Sequence, residues 1–471
     1  MKTAVSRTLA ALLAATALTG CMVGPDYKGP PHPAPLAESA KNFHRASLAQ
    51  AEAAPPAARW WTALNDPELD RLVDAALAGS PDLKAAEARL RQARAVVRER
   101  KADRLPSGGA NAGFLYADGL PGSLGGNGSL KLYNAGFDAT WELDLFGGAR
   151  RAEEGASAQS EAVAADLEDV KVSLAAETAR TYLSLRDRQQ RKAVAEASVS
   201  IENQLVDLAG QRHGQGVASE LDLARLQGQL EATRASLIPL QADIDESLDR
   251  LAVLTGREPG ALDAELSPPA ALPELPAQVA VGDPADLLRR RPDIRAAERR
   301  LKAQNAIIGE RTADLFPKVS LLGVVGGGSA DLGQMFSNPA VIATPTLRWN
   351  PLDFGRTKSR IAQAEAGRDE ALAHYESTVL NALQDAETAL SRLGHAREEV
   401  VALGRVEASA RRAADLTRQR HAAGVANITD VLDTERTRLD AEQNLAAARA
   451  QLDLAYVSLQ KSLGLGWSDR A

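Results

Sequence analysis

The chain has 471 residues, enough for several ordinary domains, with a formal charge of -7, 25 % charged residues and only 4 % aromatics. The acidic balance excludes nucleic-acid binding through a basic face, and sparse aromatics argue against a large compact enzyme core. A single cysteine excludes an intramolecular disulfide.

Lys2 and Arg7 precede a short apolar run, Leu9 to Leu18. The run is about half the ~20 residues a membrane span needs, so residues 1–20 read as an export signal. Its end, Leu18-Thr19-Gly20-Cys21, resembles the bacterial lipobox, which would make Cys21 the lipidated first residue of the mature chain. The alternative is an ordinary signal cut near a chance cysteine. Residues 21–58 carry seven prolines, from Pro25 to Pro56, and read as an extended arm that lies on a surface and owns no core.

Trp60-Trp61 begins the folded part, and residues 59–256 form a first repeat. Asn65-Asp66-Pro67-Glu68 opens a helix to about Ala78, with Pro67 suited to its first turn. Gly79-Ser80-Pro81 separates it from a second helix that Leu105-Pro106 stops. The period then changes to two. Tyr133, Ala135, Phe137, Ala139, Trp141, Leu143 and Leu145 alternate with Asn134, Asp138, Thr140, Glu142 and Asp144. This predicts a strand over about 129–146 with one face apolar and the other in water. Ala110, Ala112, Phe114 and Tyr116 give a partner strand over about 107–118, and a Gly-rich loop, 118–128, joins the two.

No proline interrupts 122–238 or 352–471. Because proline costs a helix interior about 3 kcal/mol, such stretches permit very long helices. A helical hairpin is expected over about 149–256, its first limb on the order of 100 Å long at ~1.5 Å per residue. Val163, Leu167, Val170 and Leu174 supply a coiled-coil-like seam, as do Leu445, Leu452 and Leu459. Pro239 should bend the return helix. Residues 257–284 are Pro-rich and read as an irregular equatorial linker.

The remainder, 285–471, repeats the first unit. Asp207 to Ala218 returns as Asp415 to Ala426, shifted by 208 positions, and the same shift carries Trp141 to Trp349 and Phe146-Gly147 to Phe354-Gly355. A shift of 211 carries Pro81-Asp82-Leu83 to Pro292-Asp293-Ile294. Such repetition predicts strands over about 318–327 and 341–352 and a helical hairpin over about 356–463. Pro345 weakens the last strand, because proline donates nothing to a ladder.

Four amphipathic strands cannot close a barrel, and an open sheet edge is not tolerated in lipid. Three chains would supply twelve strands and a closed transmembrane β-barrel, with apolar faces outward, continued by a tube of the long helices. A lipid-anchored periplasmic rod without a pore is the rival reading.

The chain also resembles a known family, the TolC-like outer membrane factors, in particular the lipid-anchored efflux subgroup of NodT type. The resemblance rests on Cys21 to Tyr27, Trp60-Trp61 with Asp66-Pro67, Trp141 to Gly147, Arg290-Arg291-Pro292-Asp293, Trp349 to Gly355 and the Gly-Val-Ala turns. It implies a homotrimer in outer-membrane lipid that docks a periplasmic adaptor and an inner-membrane pump, commonly proton-driven. It implies a passive efflux channel for small toxic compounds or drugs; protein secretion of type I or metal-ion export would share the fold. No enzymatic motif and no cofactor site is expected.

In such proteins the hairpin tips point into the periplasm, form the closed entrance and meet the adaptor. Here the tips hold Gly214, Gly216, Val217, Ala218 and Ser219, and again Gly424, Val425, Ala426 and Asn427. The glycines suit a tight turn whatever the function, so turn-only and adaptor-contact readings both stand. Asp430 and Asp433 match the stretch holding the family's gate carboxylates, with Asp222 and Arg225 as their repeat-mates. Tripled, six carboxylates around a narrow mouth would favour cation passage. Asp430 is equally placed to cap its helix. Asp433, further in, is the better gate candidate, and a neighbouring helix pair could present it to Arg225.

Overall fold

A computed structural model of the chain describes residues 22–117 and 130–467. Cys21, the export signal and the Gly-rich loop lie outside the described residues. In chain order the helices are α1 (Pro35–Ser39), α2 (Pro67–Gly79), α3 (Pro81–Ala102), α4 (Gly148–Gly214), α5 (Glu220–Leu254), α6 (Asp263–Leu266), α7 (Pro284–Arg290), α8 (Pro292–Ala313), α9 (Arg356–Ala422) and α10 (Ile428–Ser462). The strands are β1 (Ala51–Glu52), β2 (Ser107–Ala117), β3 (Leu130–Leu143), β4 (Val279–Ala280), β5 (Lys318–Ser329) and β6 (Ala340–Arg348). Duplication shows in the lengths: α4 and α9 have 67 residues each, α5 and α10 have 35 each, and α3 and α8 have 22 each. None of the described helices is long and apolar enough to cross a membrane.

The chain divides into two compact units. One comprises the residues up to Pro31, Arg89–Ala164 and Ala296–Glu376; the other comprises His32–Ala88, Ala165–Arg295 and the residues from Ser377 on.

The first unit holds an antiparallel sheet in the order β2-β3-β5-β6. Its pairing stacks the period-two faces as the alternation requires. Ala110, Phe137, Val325 and Val341 form one apolar row, and Phe114 stacks on Tyr133 with ring centroids 4.7 Å apart. The opposite face carries Asn111, whose amide donates to Asp138 at 2.9 Å, with Thr140, Glu142, Ser320 and Thr346. In repeat two that face also takes Leu322, Val324 and Ile342. β2 and β6 are the open edges, and β6 is exposed along its whole length. Pro345 thus sits on an edge strand, where a missing N–H is tolerated.

The strands stop earlier than alternation alone suggests: β3 ends at Leu143 and β6 at Arg348. A carboxylate ends the ladder by capping the next helix in each repeat. Asp144 accepts from the N–H groups of Ala149 (3.2 Å) and Arg150 (2.9 Å); Asp353 accepts from those of Gly355 (3.0 Å) and Thr357 (2.7 Å). Asp144→Ala is expected to cost about 1–2 kcal/mol in urea unfolding, and Asp144→Asn, which keeps an acceptor, clearly less.

In the second unit, Trp60, Trp61, Leu69, Leu72, Val73 and Ala76 are buried. Trp60 meets Trp61 and Tyr456 edge-on, with centroids 5.8 and 5.9 Å apart. Tyr182 donates to Asp66 at 2.7 Å, and Asp66 itself caps α2. The middle of α4 is therefore buried nearly all round, not along a narrow seam: Thr178, Ala179, Tyr182, Leu183, Leu185, Arg186 and Asp187 are all inaccessible. Arg186 and Gln189 donate to the carbonyl of Leu266, tying α4 to the 257–284 segment, which contains α6 and β4. α5 continues through Pro239 without ending there.

The arm corrects an expectation. It owns buried residues: Phe43 is 3 % exposed and Ala49 fully buried. The cause is polar. Glu387 accepts from the N–H groups of His44 (2.7 Å) and Arg45 (2.9 Å), Arg397 donates to the carbonyls of Ala49 (3.0 Å) and Pro276 (2.9 Å), and β1 pairs in parallel with β4. These bonds satisfy arm backbone that a loosely lying segment would leave to water.

Candidate functional site

Both tips, in the second unit, are built the same way. Gly216 and Gly424 adopt φ of +74° and +75°, the left-handed conformation that ends a helix cheaply only at glycine. Val217 N–H donates to Arg212 O, and Val425 N–H to Arg420 O, each at 2.9 Å, closing a Schellman-like turn. His213 and His421 fold back onto the carbonyls of Ala218 (3.1 Å) and Ala426 (2.9 Å). Val217 and Val425 remain 75 % and 66 % exposed, so the turn chemistry leaves an apolar side chain at the apex of each hairpin. Gly214 adds nothing to the packing, with open space where a Cβ would stand.

The return helices start on capped residues. Ser219 Oγ accepts from Asp222 N–H (3.1 Å) and donates to the Asp222 carboxylate (2.7 Å). Asn427 and Asp430 form a full capping box, with bonds of 2.8 and 3.2 Å. Asp430 is therefore engaged as a cap. Asp433 and Arg225 are exposed, and among the described residues neither makes an ion pair within the chain. The chain brings Asp430 to Asn427 and Asp222 to Ser219; it does not bring Asp433 to Arg225.

Sequence reasoning missed a network behind the tips. Glu435, 4 % exposed, accepts from Arg438 (2.8 Å) and forms an ion pair with Arg418 at 3.0 Å, and Arg438 also reaches Glu442 at 2.8 Å. Glu202, equally buried, accepts from Thr233 at 3.0 Å; burial, with Glu435 as a further cause, raises its pKa. Arg212 on the first hairpin donates to His421 on the second at 2.9 Å, with Nε2 of the imidazole as acceptor. The available signal was Glu435 standing between Val431 and Leu439 at a four-residue spacing, an acid in a buried row. Among the described residues no group of three or more His, Cys, Asp or Glu could hold a metal ion.

Exposed amphipathic strands, duplicated 67-residue helices and glycine-turned tips define a class of protein, and the chain belongs to it: the outer membrane efflux protein family matches residues 72–257 and 284–465. The chain is 32 % identical to outer membrane protein OprJ of Pseudomonas aeruginosa, over 98 % of this chain and 96 % of that one. It is 26 % identical to the probable outer membrane lipoprotein SilC of Salmonella typhimurium, over 96 % of each chain. The solved structure of the outer-membrane channel OprN superposes with a TM-score of 0.88 at 37 % identity, covering 95 % of this chain and all of that one. The chain is an efflux channel protein of the outer membrane, with the α-barrel and β-barrel fold of the TolC-like channels.

Proposed function

We propose that three copies close into one conduit that passively carries small toxic compounds or drugs from an inner-membrane pump, through a periplasmic adaptor, to the exterior. The pump is proton-driven, and the chain itself catalyses nothing. The observation that carries this is the four-stranded sheet with both edges open and an apolar face exposed: Phe137 is 69 %, Val341 75 % and Leu347 68 % accessible in the single chain. Only more copies of the same hairpins in lipid bury such a face without leaving an edge. The repeats 59–256 and 285–471 each supply one strand hairpin and one helical hairpin, with 257–284 between them. Residues 1–20 are removed on export, and Cys21 carries the lipid that holds the arm, 21–58, at the membrane.

At the periplasmic end, the two tips (Gly214 to Ser219 and Gly424 to Asn427) contact the adaptor through Val217 and Val425. Asp433 forms the gate with Arg225 of the next protomer, a reading supported by the exposure of both side chains and by the absence of an ion pair to either among the described residues. Asp430 and Asp222 belong to the same ring but serve it as caps. Replacing both Asp433 and Arg225 by Ala is expected to raise single-channel conductance in planar bilayers severalfold; unchanged conductance would refute the latch. The overall reading is tested by deleting the gene and challenging the cells with a panel of toxic compounds. Raised sensitivity, reversed by the wild-type chain, is expected; sensitivity identical to the parent strain on every compound contradicts it.

A further inference from the structure

Copies of this chain must meet along β6 and β2, and the molecule already contains the template for that seam. Ser107 opposite Thr140 in the first hairpin becomes Lys318 opposite Arg348 in the second when β2 is advanced by 211 positions and β3 by 208. Phe114 opposite Tyr133 likewise becomes Val325 opposite Val341. The two sequence shifts thus hold residue by residue through the sheet. The seam joining the repeats inside the chain is β3 with β5, where Phe137 faces Val325, Asp138 faces Val324 and Ala139 faces Gly323. Carried through the same shifts, this seam becomes Pro345 facing Phe114, Thr346 facing Gly113 and Leu347 facing Ala112. Those residues lie on the two open edges, so their partners belong to another molecule.

A second observation points to the same partner. Below the β3–β5 seam, Phe146 stacks on Phe316 with centroids 4.5 Å apart and planes at 17°. The equivalents are Phe354 and Leu105, and the match extends over Asp103 and Pro106, which return as Asp314 and Pro317. Phe354 is completely exposed and Leu105 63 % exposed. Phe354 also holds φ of +54°, a conformation costly for a bulky side chain, and there its side chain is left fully in solvent, with no burial to offset the strain. A fully exposed Phe in a strained backbone and an exposed Leu at the matching place are two halves of one apolar contact.

Resting on the trimer reading above, we infer that β6 of one copy pairs antiparallel with β2 of the next in the register Leu347 opposite Ala112, with Phe354 seated on Leu105 of that neighbour. A second copy of this chain is the occupant of both edges. Register is strict here, because a one-residue slip would turn Val341, Ala343 and Leu347 of β6 to the polar face.

Disulfide trapping in the full-length protein reads the register. Directly opposed residues stand within about 5.5 Å and a two-residue slip places them about 7–8 Å apart, beyond ready disulfide geometry. Leu347→Cys with Ala112→Cys should give a covalent trimer on oxidation. Leu347→Cys with Ala110→Cys, and Leu347→Cys with Phe114→Cys, should give less than about a tenth of that yield, and the native chain with Cys21 alone sets the background. Light-scattering mass of the same samples in detergent, under reducing conditions, is expected to be that of three chains. Stronger crosslinking by a slipped pair, or none by any pair, at a three-chain mass overturns the register while leaving the trimer standing. A one-chain mass overturns the trimer and the register together.

Discussion

Replacing Arg151 by Ala should destabilise the first unit by about 3–5 kcal/mol, the range for breaking a buried charged site by removing one partner. The Arg151 side chain is 1 % exposed near the start of α4 and serves several acceptors at once. It donates to the carbonyls of Val23 (3.2 Å) and Gly24 (3.4 Å), to Asp26 (2.6 Å) and to Glu154 (2.8 Å). Asp26 is 75 % exposed, so the ion pair with it adds little. The cost comes from the buried stem and the orphaned carbonyls, each worth about 1–3 kcal/mol when left unsatisfied. Gly309 makes the site possible, since a Cβ there would stand 2.7 Å from Arg151 Nε. The same loss should free Met22–Asp26, so limited proteolysis of Arg151→Ala is expected to cut this segment many times faster than in the wild type. Arg151→Lys keeps a charge but cannot reach four acceptors, and should fall between the two. Equal stability and equal cutting rates for all three would contradict this account of how the arm is held.

Asp453→Asn should do the opposite and stabilise the second unit at alkaline pH. Asp453 is 4 % exposed on α10, and burial, with the nearby Asp187 carboxylate as the second cause, pushes its pKa up to about 7. Burial also raises the pKa of Asp187, although Arg188 and Arg191 oppose it. The other polar groups around Asp453 are Gln50 and Gln190, Glu274 and Arg397, and Arg449 on its own helix, which line an adjoining cavity of about 680 Å³. Because the folded chain holds this proton more tightly than the unfolded chain does, its contribution to stability is fully present below the ordinary carboxylate range. It is lost as pH rises through about 7. The lost amount is on the order of 4 kcal/mol at pH 8 and above. Asp453→Asn should remove that pH-dependent fall, leaving the variant more stable than the wild type at pH 8 and little changed at pH 4. Thermal unfolding of both proteins across that range checks it; parallel pH profiles would contradict it.

The parts of the molecule legible in the sequence are those set by local chemistry. Tyr133 to Leu143 alternates because one strand faces two solvents, and Gly216, Gly424, Ser219 and Asn427 mark tips because turn and cap preferences act within a few residues. Strand ends were less legible: Asp144 looks like one more polar residue in the alternation until its carboxylate is seen capping α4. Long-range burial was barely legible. Only Glu435, spaced four residues from Val431 and Leu439, carried a signal; nothing beside Asp453 or Arg186 in sequence announces that helices distant along the chain will cover them. The docked arm belongs with these, since Phe43 is buried by Glu387 and Arg397 holding the backbone around it from more than 300 residues away. The return helix of the second hairpin shows the same limit from the other side. Asp430 is readable as a cap, whereas Asp433 is exposed and makes no ion pair among the described residues of the single chain.

The claim on which the rest depends is that exposed apolar hairpins from three chains share one closed wall around water. Single-channel recording of the purified, detergent-extracted protein in planar bilayers tests it most directly. Discrete ion-conducting steps from a species with the mass of three chains are predicted. A monomeric protein that stays soluble without detergent and passes no ions would contradict it.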